Sequence, residues 1–287
     1  MEQRKIARTV AALKVNMGGN ILDQPLPVNG LDQVDPFLLI HHWKDVMPGH
    51  QKQRDVGVGP HPHRGFSPVT FIFEGSLQHR DSLGNDATVY SGGTQWMHAG
   101  RGITHSERPD ATIAAEGGPL EFIQFWVNTP AKHKMDIPFY LPLSDEKTPR
   151  VTGDGYHLAV VAGEYEGVKG AAPVLSPMTL LRGEVHEGKT LDIHLPESFN
   201  IILYALDGAM TVNGSAVKGK DMLVLEPGEG GLSILAERTS RFIILSGEPL
   251  NEKVASYGPF VMNDQTQIME ALRDAQTGKM GILIEEF

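Results

Sequence analysis

The chain has 287 residues, 40% of them hydrophobic and 21% charged, with a formal net charge of −10 and no cysteine. Domains of about 100–150 residues are the commonest, so two are expected, and the ordinary composition excludes a disordered or fibrous chain. The missing cysteines exclude disulfides and thiolate chemistry, and the acidic balance without a Lys/Arg cluster disfavours direct binding of nucleic acid. No apolar run approaches the roughly 18 residues of a membrane span and no signal-type segment follows the charged start, so a cytoplasmic protein without a membrane partner is expected.

In chain order, the adjacent His41 and His42 come first; in a strand they point to opposite faces and read as structural or surface residues. His61 and His63 follow, then β-rich runs at Val69–Phe73, Ala87–Tyr90 and Glu121–Val127, separated by Gly-Ser, Gly-Asn and Gly-Gly turns. Between them, His79 falls near a predicted hairpin tip and reads as solvated. His98 lies beside the Gly100-Arg101-Gly102 turn and reads as packed or surface, with a supporting role near the site as the alternative. His105 and Glu107 come directly after that turn.

A stretch from Pro130 to Arg150 reads as containing a linker, placed at 133–145, between a domain at 1–132 and another at 146–287. The second series of strands takes in Tyr156–Ala162, Met178–Leu181 and Phe199–Leu206. The halves share a grammar: Phe71 to Leu77 and Tyr204 to Met210 are each an apolar strand turning at an acidic residue and Gly into another strand. This predicts an all-β protein of two duplicated barrels. One helix is predicted near the end, opened by Asp264 with Gln267 three residues on, apolar at Ile268, Ala271, Leu272 and Ala275, and stopped at Gly278.

Residues two apart in a strand project the same way, with Cα atoms about 6–7 Å apart, so His61 and His63 share a face, as do His105 and Glu107. Two such pairs facing each other inside a barrel place three imidazoles and a carboxylate around one point, a donor set that suits a single divalent metal. Taken singly, a His-x-His pair is equally a solvated loop feature. The order of His pair, hairpin, Gly-rich turn, His and Glu is what joins the four. Arg64 and Arg101 flank them and read as ion-pairing residues. No Gly-x-Ser-x-Gly elbow, dinucleotide fingerprint or Walker loop is present.

At these positions the sequence resembles the pirin family of the cupin superfamily. The similar segments are Asp35 to Leu39, His61 to Phe66, Gln95 to Met97, Ala99 to Ile103, His105 to Glu107, and Gly258 to Asn263. The resemblance implies two tandem cupin (double-stranded β-helix, jelly-roll) barrels with one metal in the first, most often Fe2+, held by His61, His63, His105 and Glu107. Mn2+, Co2+ and Ni2+ suit the same donors, whereas four ligands would fill a tetrahedral Zn2+. Two departures are visible. Many family members have a Glu where this chain has Ser67-Pro68, and the second barrel offers only His194 and Pro196 where the first has its His pair. The second barrel is therefore expected to be metal-free.

The resemblance implies opening of flavonols such as quercetin by 2,3-dioxygenation, with a small aromatic substrate, O2, and Glu107 as the group that takes the hydroxyl proton. The alternative class is a metal- and redox-dependent regulatory protein acting through a protein partner. A bicupin decarboxylase or sugar isomerase ranks third, because those types keep a full ligand set that this chain lacks.

Overall fold

A computed structural model describes residues 2–287. Contacts group the chain into two compact units, and the grouping is not a contiguous split: the residues up to Leu38 join Glu146–Leu250, while Leu39–Asp145 joins Asn251–Phe287. The division at Asp145 and Glu146 coincides with the expected start of the second domain; the departure lies in the two chain ends, and each has a local cause. Ile6–Ala11 pairs antiparallel with Asp221–Leu225 and becomes the edge strand of a sheet built otherwise from Arg150 onwards. The terminal helix Gln265–Gln276 packs on the hairpin of Ala255–Tyr257 and Phe260–Met262, within the unit that contains the histidines.

In the unit of Glu146–Leu250, one sheet runs in the order Ile6–Ala11, Asp221–Leu225, Asn200–Ala205, Ser240–Gly247, Met178–Val185, Tyr156–Ala162, Arg150–Gly153. A second sheet runs Thr190–Ile193, Leu232–Arg238, Ala209–Val212, Ser215–Lys218. The inward positions alternate along each strand, and Leu181, Leu203, Leu223 and Ile244 from one sheet meet Leu191, Ile193, Met210 and Ile234 from the other in one apolar core. Each such side chain contributes about 1.5–3 kcal/mol on burial. His194 continues the alternation of its strand on the outward side and is exposed.

The unit of Leu39–Asp145 repeats the pattern. One sheet takes Phe139–Leu143, Thr94–His98, Phe66–Glu74, Gly118–Asn128 and Phe37–Met47 in that order; the other takes Val58–His63, Ile103–Pro109, Ser76–Asp81 and Asp86–Tyr90. The expected linker at 133–145 thus contains a strand. Phe139–Leu143 pairs with Thr94–His98 at the edge of its sheet, the place where Pro142, lacking an N–H, is tolerated. Met47, Val56, Ile72, Leu77, Val89 and Leu120 form an apolar plug in this barrel, joined by Ala114 from the short helix Ala111–Glu116, which Asp110 caps through Ile113 N at 2.8 Å.

The predicted terminal helix forms as read. Asp264 accepts from Gln267 N at 2.9 Å, Gln267 Oε1 accepts from Asn263 N, and Ile268 and Ala271 are buried with Leu272 and Ala275 packed beside them. Gly278 follows at φ +73°, a left-handed conformation that suits glycine after a helix end. Lys134 binds the parts of this unit together: its buried ammonium donates to Gly65 O at 2.6 Å, Asn128 Oδ1 at 2.7 Å and Val261 O at 3.1 Å. Burial pushes its pKa down to about 8, so it remains charged at neutral pH. Lys134→Met keeps the apolar stem but leaves three acceptors unpaired, and should destabilise the protein by about 2–4 kcal/mol. Denaturant titration checks this; a loss below about 1 kcal/mol would remove the ammonium from the account of stability.

Candidate metal centre

The site grows from two neighbouring strands. Val58–His63 and Ile103–Pro109 pair antiparallel with His61 opposite His105 and Ile103 opposite His63, so the inward residues of both strands converge. The ring centroids of His61, His63 and His105 lie 4.4–5.0 Å apart, and their candidate ligand atoms all fall within 4.8 Å of one another. Gly65 makes the turn that sends the chain back across this site. It sits at φ +86°, and a Cβ there would lie 2.0 Å from Val261 O, so only glycine fits.

Each ring is oriented through Nδ1. His61 Nδ1 bonds Gly59 O at 2.8 Å, His63 Nδ1 bonds Pro259 O at 3.2 Å, and His105 Nδ1 meets His79 Nδ1 at 3.3 Å. A backbone carbonyl only accepts, so Nδ1 of His61 and of His63 carries the proton and Nε2 the lone pair. His105 Nε2 is buried and has no protein partner. An orphaned buried nitrogen beside two imidazoles that present lone pairs is what a divalent metal site requires, and the donor set fits.

Glu107 stands apart from the three rings. The pairing with Val58–His63 shifts register here, with the extra residue between Val58 and His61, and the Glu107 carboxylate is held by Gln124 Nε2 at 3.0 and 2.8 Å, with Thr70 Oγ1 at 3.5 Å. The structure therefore groups three of the four sequence-chosen residues and orients the fourth through an amide. Gln124 and Trp126 were not singled out from sequence, although their spacing of two in the run Glu121–Val127 puts them on one face. Phe66 and Trp126 form an aromatic wall beside His63, with centroids 4.3 Å apart and each under 6 Å from the imidazole.

Several other expectations change. His79 is 1% exposed, not solvated, because Ser76–Asp81 is an inner strand of the barrel. Tyr140, from the segment read as linker, lies flat on His79 at 3.7 Å; its hydroxyl is buried without a protein partner. Burial first, then the Glu107 and Asp81 carboxylates, raise the phenol's pKa, so it stays protonated. Ser67 alternates with Phe66 and faces away from the rings, its hydroxyl 3.3 Å from buried His98 Nδ1. His98 is thus a packed residue. His42 is structural, 3.0 Å from buried Glu121, and Arg64 pairs with Asp274 at 3.0 Å, while the Arg101 side chain is exposed.

The Pirin family model matches residues 20–127, and the model of the Pirin C-terminal cupin domain matches residues 180–281. The chain belongs to the pirin family. It is 35% identical to a tomato (Solanum lycopersicum) pirin-like protein over 97% of this chain and 93% of the relative. It is 34% identical to mouse pirin over 88% of this chain and 84% of the relative. Among solved structures, the crystal structure of a quercetin 2,3-dioxygenase from Acinetobacter baumannii superposes with a TM-score of 0.93 at 35% identity, over 99% of this chain and 100% of that one. Pirins are cupin proteins, and both barrels here have that fold.

Burial, then the neighbouring imidazoles, hold His63 and His105 well below the usual histidine value. The unfolded chain therefore binds more protons below about pH 6.5, and the stability of the metal-free fold is full above that value and falls as pH drops through it. Thermal denaturation at pH 5 should give a lower Tm than at pH 7, with a shallower dependence in His105→Leu; an unchanged slope would remove His105 from the cause. Metal loading, which needs neutral rings, should for the same reason persist somewhat below pH 6.5. Cobalt titration should give one equivalent for the wild type and for His194→Ala, and none for His105→Ala. Retained loading in His105→Ala would overturn the assignment of the site.

Proposed function

We propose that this protein is a metal-dependent dioxygenase of flavonol-like enolic aromatics, with His61, His63 and His105 as ligands and Glu107 as fourth donor and proton acceptor. The single observation that supports it best is the buried, unpartnered Nε2 of His105 beside two imidazoles oriented for ligation and next to the Phe66–Trp126 wall. When bound, a divalent transition metal, Fe2+ by preference, supplies Lewis acidity and one-electron redox chemistry toward O2. The likeness to the Acinetobacter quercetin 2,3-dioxygenase supports the reaction class.

The residues divide the work on physical grounds. Trp126, which is half-buried, offers a flat face to a planar ring, and the fully buried Phe66 backs it. Glu107 is the carboxylate placed to accept the proton of an enolic hydroxyl, and the Gln124 amide, bonded to both of its oxygens, keeps it aimed. Tyr140 stays protonated and is available as a hydrogen-bond donor on the same side as Glu107. The partner-dependent regulatory reading rests on the family resemblance and on the acidic charge, not on the geometry of the site.

The test loads the metal-free protein separately with Fe2+, Mn2+, Co2+ and Ni2+ and follows oxygen uptake with loss of quercetin absorbance. Metal-dependent turnover is expected, and Glu107→Gln should lower kcat by about 100-fold or more with metal retained. Ser67→Glu should not raise activity, because the new carboxylate would face His98. No turnover above a His61→Ala control with any metal would remove the dioxygenase reading.

A further inference from the structure

The three rings differ in what fixes their tautomer. His61 and His63 lean on backbone carbonyls, which no side-chain substitution removes, whereas His105 leans on another imidazole. Behind that imidazole stands Asp81. Its Oδ1 accepts from Leu83 N at 2.9 Å and Asn85 N at 3.1 Å, and its Oδ2 accepts from Asn85 Nδ2 at 2.7 Å and His79 Nε2 at 2.9 Å. All four partners are donors, so the carboxylate is fixed in place as an acceptor, and the proton of a neutral His79 sits on Nε2. His79 Nδ1 then bears a lone pair, His105 Nδ1 must donate to it, and the His105 lone pair falls on Nε2, the orphaned atom. His79 and Asp81 are 1% and 2% exposed, and the Tyr140 ring, 3.7 Å from His79 and inclined by 3°, sets the plane of the relay.

We infer that Asp81 and His79 are positioning residues that set the tautomer of His105 and so make it a metal ligand. The inference rests on the metal-binding reading above. Asp81→Asn presents an amide N–H to His79 Nε2, which reverses the order of donors and moves the proton of His105 onto Nε2. His79→Phe keeps a flat ring on Tyr140 and leaves the Asp81 turn bonds in place, but removes the acceptor. His79→Asn places an oxygen near the position of Nδ1 and restores one.

Two measurements on the full chain test this. Cobalt affinity by chelator competition should fall about 10–100-fold in Asp81→Asn and in His79→Phe, with most of it recovered in His79→Asn. Nitrogen-15 NMR of the histidine side chains in the metal-free protein should show His105 protonated at Nδ1 in the wild type and at Nε2 in Asp81→Asn, a change that a merely structural role would not produce. If Asp81→Asn does not fold, His79→Phe and His79→Asn carry the comparison. A wild type that takes up no cobalt overturns the metal reading and this inference with it. Cobalt binding unchanged in both Asp81→Asn and His79→Phe, or a wild-type His105 protonated at Nε2, overturns the relay alone.

Discussion

Exclusion of water from a group of imidazoles is the constraint on which the histidine barrel depends. A buried ring has to be neutral, and a neutral ring has one nitrogen that must donate and one that must accept. In water either tautomer is served; in an apolar barrel the protein has to serve one and leave the other for a ligand. Half-buried His61 is oriented by the carbonyl of Gly59, and buried His63 meets the constraint through that of Pro259, the more distant of the two contacts. The second of these explains why the hairpin Ala255–Met262 and the terminal helix belong to this unit. They bring Pro259 O to the ring, and Arg64, next to His63, ties the helix through Asp274.

The two barrels show what happens when that constraint is absent. Both have strands of similar length, an acidic-Gly hairpin at the same place and two packed sheets. The interior of Glu146–Leu250 is filled by Leu, Ile, Val and Met, whose burial needs no hydrogen-bond partners. The interior of Leu39–Asp145 divides: an apolar plug of Ile72, Leu77, Val89 and Leu120 at one end, and His79, His105, Thr70, Gln124 and Tyr140 at the other. Among these five side chains, His105 Nε2 and the Tyr140 hydroxyl are the buried polar atoms without a protein partner. The two exceptions face the same region as Glu107, which is why the site reads as one built to receive something.

What the sequence made legible was set by local geometry. Strand alternation alone placed His61 with His63, the acidic-Gly dipeptides marked the hairpins, and the capping pattern at Asp264 marked the helix. What it hid depended on contacts distant along the chain. His79 looks solvated beside Arg80 and Asp81 until its strand is known to lie between Ile103–Pro109 and Asp86–Tyr90. Tyr140 sits in a Pro-containing stretch with the composition of a linker, and only pairing to Thr94–His98 makes it part of a barrel. Alternation put Glu107 on the face of His105, but that its carboxylate is taken up by Gln124 depends on a strand distant along the chain. The exchange of chain ends between the two units was hidden for a similar reason: edge strands and terminal helices carry no local mark of where they dock.

The strand Ile103–Pro109 shows how one segment reconciles rigidity with an open site. Of its inward residues, His105 presents an unpartnered nitrogen, so it cannot by itself hold the strand still. The outward residues do it instead. Thr104 Oγ1 donates to Gly281 O at 2.9 Å, Ser106 Oγ donates to Glu285 at 2.7 Å, and Arg108 grips both oxygens of Glu285 at 2.8 and 2.7 Å. The Phe287 ring lies against both Arg80 and Arg108, continuing the contact onto the neighbouring strand. Because successive side chains point to opposite faces, every outward bond fixes the direction of the inward residue beside it. The tail 280–287 therefore stiffens, from its outward face, the strand that carries His105 and Glu107.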